Sequence, residues 1–231
     1  MPAARCASAL HSLAYCWLLP RRPHFCRAPP DIRIELETSH ALARCDEDGP
    51  DLALRHWPGL NVMPWMEDEM FPVASPALPG MSGIGDVRDI PRLPPVEDMC
   101  KQGWRNWFGH AGLRGQPLGP MHSFNDSTEA MRAAVDGLGA VLARKHIALP
   151  YLHRYELVRR PGPAMKARFG YYIMHSARRA PGLAARTFID WLPREAPDEH
   201  PPIPPLPAQL QELPAAEAPR PHRRPRTLAT G

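Results

Sequence analysis

Residues 31–40, which read DIRIELETSH, decide the fold class of this chain. Apolar side chains alternate with charged ones in the first part of this run, Ile32, Ile34 and Leu36 against Arg33, Glu35 and Glu37. A period of two predicts a β-strand with one apolar and one polar face. The strand leads into three hydrogen-bonding side chains, Thr38, Ser39 and His40. Because open α/β sheets bind small ligands beyond the carboxyl ends of their strands, this end of the strand is a candidate ligand site.

Other strand and helix patterns alternate along the chain on both sides of this run. Further strands are predicted at 51–55, 69–75, 140–143 and 168–174, a short helical stretch after Trp17, a turn at 57–60, and helices at 86–92, 104–111, 126–136 and 184–192. The helix at 126–136 has the clearest signals, with Asp126, Ser127 or Thr128 as its cap and Gly137 after its last turn. Alternating strands and helices predict an α/β protein.

Composition excludes several classes of protein. The 231 residues are 44% hydrophobic with a net charge of +4, which allows a packed core and does not by itself indicate a nucleic-acid partner. Five cysteines without Cys-x-x-Cys spacing indicate reduced thiols in a cytoplasmic protein and no zinc site. No apolar run reaches the roughly 20 residues that span a bilayer. Catalytic motifs are absent too, so we expect no catalytic residues, metal or cofactor.

The last part of the chain has a different composition. From about residue 197 proline recurs every few positions, and four arginines cluster near the end, Arg220, Arg223, Arg224 and Arg226. Such a segment cannot bury enough apolar surface to offset the entropy of ordering it. We therefore predict one folded domain at 1–196 and a disordered, Pro/Arg-rich tail at 197–231, whose arginines are either solvated or in contact with nucleic acid.

Ten short segments in a fixed order carry a resemblance to a known family. They are WLLP with PHF (17–25), PDIRIELETSH (30–40), DGPDLALR (48–55), WPGL (57–60), MFPVASPAL (70–78), GWRNWFGHAG (103–112), FNDSTEAMRAAVDGLGAVLAR (124–144), YELV (155–158), YYIM (171–174) and FIDWL (188–192). The chain resembles the effector-binding (substrate-binding) domain of LysR-type transcriptional regulators. It is most similar to the branch that includes the glycine-cleavage-system activator.

The resemblance implies a two-lobed fold similar to periplasmic binding proteins, in which each lobe is an α/β sandwich. We expect the chain to cross between the lobes near 73–76 and 172–175. Lobe one then comprises about 1–74 and 175–196, and lobe two about 75–174. The resemblance also implies that a small effector binds in the cleft between the lobes.

Three groups of polar residues are expected at this cleft. They are Ser12 beside His11, then Thr38, Ser39 and His40, and in lobe two Phe124, Asn125, Asp126 and Ser127. The start of the helix at 126–136 exposes free N–H groups, which suits an anionic effector. A carboxylate at Asp126 would repel such an anion. Asp126 and Ser127 as mere helix caps, and His40 as a loop residue at the cleft rim, remain open alternatives.

The helix-turn-helix head typical of the family has no counterpart in this sequence, which predicts a truncated or decayed regulator. We expect it to bind a small polar or anionic metabolite, to form homo-oligomers or hetero-oligomers with full-length regulators, and to reach DNA only indirectly. The alternative is a headless metabolite-binding module that pairs with full-length paralogues. An enzyme on a binding-protein-like fold is a third hypothesis, which no catalytic motif supports.

Overall fold

The structure is a computed structural model that describes residues 4–27, 32, 34–41, 45, 49–56, 62–98, 102–176, 178 and 180–196. Its strands are β1 Ala4–Ala9, β2 Ile34–Thr38, β3 Leu52–Arg55, β4 Val62–Met66, β5 Glu69–Ala74, β6 Pro95–Asp98, β7 His122–Phe124, β8 Ala140–Arg144, β9 Val158–Arg159, β10 Met165–Lys166 and β11 Tyr171–His175. Its α-helices are α1 His11–Leu13, α2 Leu19–Arg27, α3 Trp104–His110, α4 Ser127–Val135, α5 Lys145–His153 and α6 Leu183–Glu195. A π-helical segment, Ala14–Leu18, joins α1 to α2, and 3₁₀ turns occupy Met81–Gly83 and Val87–Arg92.

The strands form two mixed sheets. The first has the order β2-β1-β3-β11-β4, and the second β10-β5-β8-β6-β7, with β9 also paired to β5. In the first sheet β1 runs parallel to β2 and β3, and in the second β6 runs parallel to β7 and β8. We call the parts built on these sheets lobe one and lobe two. The predicted α/β fold with two lobes is confirmed, while the predicted tail at 197–231 and the turn at 57–60 lie outside the described residues.

The chain changes sheets at positions that differ from the expected ones. It leaves lobe one between β4 and β5, at 67–68, and returns between β10 and β11, at 167–170. The expected crossovers at 73–76 and 172–175 fall at the end of β5 and inside β11. All of β5 belongs to lobe two because Met70–Ala74 pairs residue by residue with β8. Similarly, β11 belongs to lobe one because it is hydrogen-bonded between β3 and β4.

Aromatic and aliphatic side chains pack the helices of lobe one against its sheet. Trp17 meets Trp65 edge to face at 4.7 Å, and Phe25 meets Phe188 at 5.1 Å. Ile34 and Leu36 of β2 point into this core, whereas Glu35 and Glu37 are exposed. The alternation that predicted this strand is therefore confirmed.

Lobe two has an apolar core on each face of its sheet. One face packs against α4 and α5 through residues such as Met131 and Ile147. The other packs against α3 and the neighbouring 3₁₀ turns through Trp104 and Trp107. Between these two cores, β5 and β8 are buried over almost their whole length. This burial on both faces explains why residues 70–74 and 140–143 are apolar without alternation.

Two helices that contain a proline differ from the prediction. The helix predicted at 184–192 continues through Pro193 to Glu195 as α6, and α5, which contains Pro150, was not predicted. In both cases the proline lies in the C-terminal half, where it removes one intrahelical hydrogen bond late in the helix. Burial of the rest of each helix against a sheet outweighs that loss, since α5 buries six of its residues.

Candidate functional site

The carboxyl ends of the parallel strands of the two lobes meet at one junction. β1 leads into α1, β2 leads into His40, and β7 leads into Asp126 at the start of α4. The first turn of lobe one contacts lobe two directly, because α1 packs against both α4 and α5. This junction is where open α/β sheets place their ligands.

Asp126, one of the three cap candidates that the sequence offered, is the residue that caps α4. Its backbone is extended, with φ −129° and ψ 141°, and its Oδ1 accepts a hydrogen bond from the Thr128 N–H at 2.7 Å. The residue is only 5% exposed. One of the backbone N–H groups left free at the start of α4 is therefore already hydrogen-bonded to a side chain of the protein.

Two imidazoles from lobe one reach this carboxylate. His40 Nε2 lies 2.9 Å from Asp126 Oδ2, and His11 Nδ1 lies 3.4 Å from Asp126 Oδ1. Both imidazoles are about half exposed, while the Asp126 side chain is 6% exposed. Asp126 is therefore more than a helix cap, because its carboxylate also contacts the opposite lobe.

Ser39 shapes the loop that presents His40. The Ser39 N–H donates to the Ala9 carbonyl at 2.9 Å, which ties the loop to the end of β1. Its Oγ accepts a hydrogen bond from the Ala41 N–H at 3.1 Å. Ser39 thus holds the turn, and His40 is the residue of this group that faces lobe two.

The remaining predicted site residues take different positions around the junction. Thr38 and Asn125 are exposed, Phe124 packs against the core of lobe two, and Ser12 is buried in α1. The Ser127 hydroxyl donates to Asp98 Oδ2 at 2.5 Å. On α1, His11 rather than Ser12 is the residue that contacts Asp126. Nothing in the sequence singled out this contact, because it depends on how the two lobes pack.

A buried polar cluster lies where the chain crosses between the lobes. The Asp68 carboxylate accepts the Glu69 N–H at 2.9 Å, and Arg144 Nη1 lies 3.9 Å from its Oδ2. Burial raises the pKa of Asp68, although His146 and Arg144 act to lower it. Burial also raises the pKa of Tyr171, to which the nearby Asp68 contributes. No sequence pattern indicated this cluster, since Asp68 stands between Glu67 and Glu69 in an acidic run that is typical of a surface.

His56 borders the same cluster as a neutral imidazole. Its Nε2 is 2.8 Å from the Phe169 carbonyl, and its ring meets that of Tyr171 at 5.4 Å. Burial, and then the charge of Arg144, lower the pKa of His56 to about 3. At neutral pH this group is therefore uncharged, and it joins strand β3 to the returning crossover.

A cavity of about 570 Å³ opens beside the crossovers. Residues of both lobes line it, among them Trp65 and His146, together with two ion pairs. Lys166 Nζ lies 2.8 Å from Glu67 Oε1, and Lys145 Nζ lies 3.7 Å from Glu69 Oε1. Its volume suits a small molecule. It lies apart from the residues that the sequence singled out.

Neither a metal centre nor a membrane span is found in the part of the chain that the structure describes. No three His, Cys, Asp or Glu side chains there are arranged to hold a metal ion. No helix in that part has the length and apolar character needed to cross a bilayer.

Most of the chain is similar to known proteins. A family model described as the LysR substrate binding domain matches residues 7–197. The chain is 27% identical over 186 residues to the HTH-type transcriptional activator AmpR of Rhodobacter capsulatus, a match covering 78% of this chain and 63% of that protein. It is 25% identical over 191 residues to the glycine cleavage system transcriptional activator of Escherichia coli K12, with 80% and 62% covered. The chain thus spans about three fifths of the length of these relatives.

Solved structures agree with the fold. The effector domain of the transcriptional regulator AmpR of Pseudomonas aeruginosa superposes with a TM-score of 0.73 at 22% identity, covering 84% of this chain and 95% of that one. The regulatory domain of CrgA, a LysR-type regulator of Neisseria meningitidis, superposes with a TM-score of 0.69 at 15% identity, covering 84% and 98%. At these identities the likeness shows a common fold.

Proposed function

The chain belongs to the LysR substrate-binding domain family, and on that premise we propose that it binds a small-molecule effector between its lobes and thereby influences transcription. The relatives named above are transcriptional activators, which supports a regulatory role over an enzymatic one. In this proposal DNA is contacted only through a DNA-binding partner or region, and the domain acts within an oligomer.

The observation that carries the proposal is the contact across the lobe junction. Side chains from both lobes, His40 and His11 on one side and Asp126 on the other, meet where the parallel strands of both sheets end. A ligand seated there would touch both lobes at once. Because it would contact each lobe differently in open and closed arrangements, its binding free energy can shift their relative position.

We propose that the effector is a small polar metabolite. Thr38 and Asn125 are exposed beside the junction and offer neutral hydrogen-bonding groups. An anionic group of the effector would gain little from the start of α4, because Asp126 occupies that position and Asp98 lies behind Ser127. Such a group would instead need the imidazoles of His11 and His40 in their charged form.

Thermal unfolding of the full chain with a library of polar metabolites tests the proposal. A ligand at 100 times its dissociation constant stabilises the folded state by about 2.7 kcal/mol. For a domain of this size that corresponds to a rise in Tm of about 5–10 °C. We expect at least one metabolite to produce this rise in the unmodified chain.

Two matched substitutions then locate the binding site. Thr38→Val removes a hydroxyl at the junction and keeps the shape of the side chain, so it should reduce the rise in Tm. Thr187→Val makes the same change on α6, where the hydroxyl bonds to Leu183 O, and should leave the ligand-induced rise unchanged. A metabolite that raises the Tm of all three proteins equally would argue against binding at the junction.

A further inference from the structure

The cavity of about 570 Å³ beside the crossovers is separate from the proposed effector site. Its walls include parts of β4 and β10, which are edge strands of their sheets. His40 and Asp126 follow β2 and β7, which lie at the opposite edges. The residues that line the cavity include none of 11–12, 38–40 and 124–127. A molecule bound in this cavity would therefore contact neither His40 nor Asp126.

Four charged side chains of both signs line the cavity side by side. Sheet pairing places Lys166 of β10 opposite Glu69 of β5, and Lys145 follows β8 on the other side of β5. Lys145 Nζ lies 3.7 Å from Glu69 Oε1, and Lys166 Nζ lies 2.8 Å from Glu67 Oε1. The two ammonium groups and the two carboxylates balance in charge, so the cavity favours neither a simple anion nor a simple cation.

The pair formed by Lys145 and Glu69 is accessible to a ligand. A separation of 3.7 Å is too long for a hydrogen bond, so the two groups attract each other only through their charges. The Lys145 side chain is 32% exposed and that of Glu69 is 38% exposed, whereas the other pair is mostly in solvent. Such partly exposed pairs add little to stability. A ligand that carries both charges would therefore replace this pair at little cost.

The remaining polar residues of the lining have partners within the protein. The Asp68 side chain is fully buried and lies 3.9 Å from Arg144, with which it forms an ion pair. The His146 Nε2 atom lies 2.8 Å from the Glu67 carbonyl oxygen. The charges that a ligand meets are therefore those of the two lysines and of the two exposed glutamates.

An apolar wall adjoins these charges. Trp65 and Met66 of β4 line the cavity together with Ala164. The Trp65 ring meets Trp17 edge to face at 4.7 Å, so the core of lobe one fixes its position. An aromatic ring offers a large apolar surface for contact with another apolar group. The cavity thus combines charges of both signs with an apolar surface.

We propose that this cavity is a second binding site, which takes a free α-amino acid with an apolar side chain. The carboxylate of the amino acid contacts Lys145, its ammonium group contacts Glu69, and its side chain packs against Trp65. The volume lies within the range of about 300–1,000 Å³ that is typical of small-molecule sites. The proposal goes beyond effector binding at the junction and does not depend on it, because the two sites share no residue.

Isothermal titration calorimetry of the full chain with L-phenylalanine and L-leucine tests for this site. We expect saturable binding of L-phenylalanine with a Kd of about 1 mM or tighter. Phenethylamine lacks the carboxylate and hydrocinnamate lacks the ammonium group, so each should bind about tenfold more weakly through the loss of a charge-assisted hydrogen bond. The absence of binding by both amino acids, or equal binding of L-phenylalanine and its two analogues, would overturn the proposal.

Two substitutions assign the charged groups of the ligand to the protein. Lys145→Gln should weaken the binding of L-phenylalanine about tenfold and abolish its advantage over phenethylamine. Glu69→Gln should abolish the advantage over hydrocinnamate in the same way. A general disturbance of the fold would reduce both advantages in each variant, whereas the proposed contacts predict the loss of a different one in each. Advantages that persist in both variants would overturn the proposal.

Arg132→Gln is the matched control. It also removes one cation from a partly exposed ion pair, since Arg132 Nη2 lies 2.7 Å from Asp136 Oδ1 on the far side of α4's first turn, outside the lining of the cavity. It should leave the binding of L-phenylalanine unchanged. A tenfold loss in this variant as well would show that the effect of Lys145→Gln is not local, and would overturn the assignment of the site.

Thr38→Val separates this site from the junction. It should leave the binding of L-phenylalanine unchanged, because Thr38 does not line the cavity. If Thr38→Val weakened the binding and Lys145→Gln did not, the amino acid would bind at the junction. That result would overturn the second site and support the proposed effector site. Failure of L-phenylalanine and L-leucine to bind at all would overturn the second site alone.

Discussion

Cys16 and Cys26 lie on one helical segment of lobe one and differ in their access to water. Cys16 is buried beside Tyr151, whereas Cys26 is exposed. Burial raises the pKa of the Cys16 thiol to about 12. Since the thiolate is the species that reacts, iodoacetamide at pH 8 should modify Cys26 and spare Cys16 in the folded chain. Peptide mass spectrometry measures both sites.

The control for this prediction is the same reaction in urea, where both cysteines should be modified. Equal modification of Cys16 and Cys26 in the native protein would contradict the burial of Cys16 between the lobes.

His56 should make the protein sensitive to mild acid. Its pKa is lowered to about 3 in the folded state, against about 6.5 in an unfolded chain. Below pH 6.5 the unfolded state binds a proton that the folded state does not, so this group removes stability as the pH falls from 6.5 towards 3. The loss from one such group is at most about 1.4 kcal/mol per pH unit.

The substitution His56→Gln isolates this effect, since a glutamine amide can still donate to Phe169 O and does not titrate. Urea unfolding at pH 6.5 and 5.5 should show a smaller loss of stability in His56→Gln than in the unmodified chain. His153→Gln, at an exposed position on α5, should behave like the unmodified chain. An unchanged pH slope in His56→Gln would show that His56 is not held neutral.

At the scale of single elements, sequence prediction succeeded where the signals were local. The alternation in β2 and the cap at Asp126 depend on neighbours within a few residues, and the structure confirms both. The prediction missed α5 because a proline within it is tolerated only through tertiary burial. The partnership of His11 with Asp126 depends on packing between lobes, which no local pattern encodes.

The crossover at 167–170 depends on a close approach between two backbone segments. A Cβ atom on Gly170 would lie 2.2 Å from the Met66 carbonyl oxygen. One of the two backbone segments would have to move to relieve this clash. Gly170→Ala should therefore lower the free energy of unfolding by about 1–3 kcal/mol. Urea unfolding at neutral pH measures this change.

Gly109 on α3 is the matched control, because a Cβ there would meet no atom within 4 Å. Gly109→Ala should raise the free energy of unfolding by about 0.5–1 kcal/mol, since alanine favours a helix over glycine. If Gly170→Ala were as stable as Gly109→Ala, the two segments would not be in tight contact at this crossover.

For the whole molecule, the order of ten short segments predicted the two-lobed fold, and the family match and superpositions confirm it. The lobe boundaries were harder to predict from the sequence, because they depend on which sheet a strand joins. After Glu69, β5 is apolar and suits either sheet by pattern alone, and its pairing with β8 assigns it to lobe two. The buried cluster around Asp68 likewise could not be predicted from the sequence, since it forms only when both crossovers come together.

We propose that a small polar effector binds at the lobe junction. A crystal structure of the chain with the metabolite that most raises its Tm would locate the effector. We expect ligand density in contact with both lobes, between residues 38–40 and 124–127. Density confined to the cavity beside Lys145 and Lys166, or to the outer surface of one lobe, would contradict it.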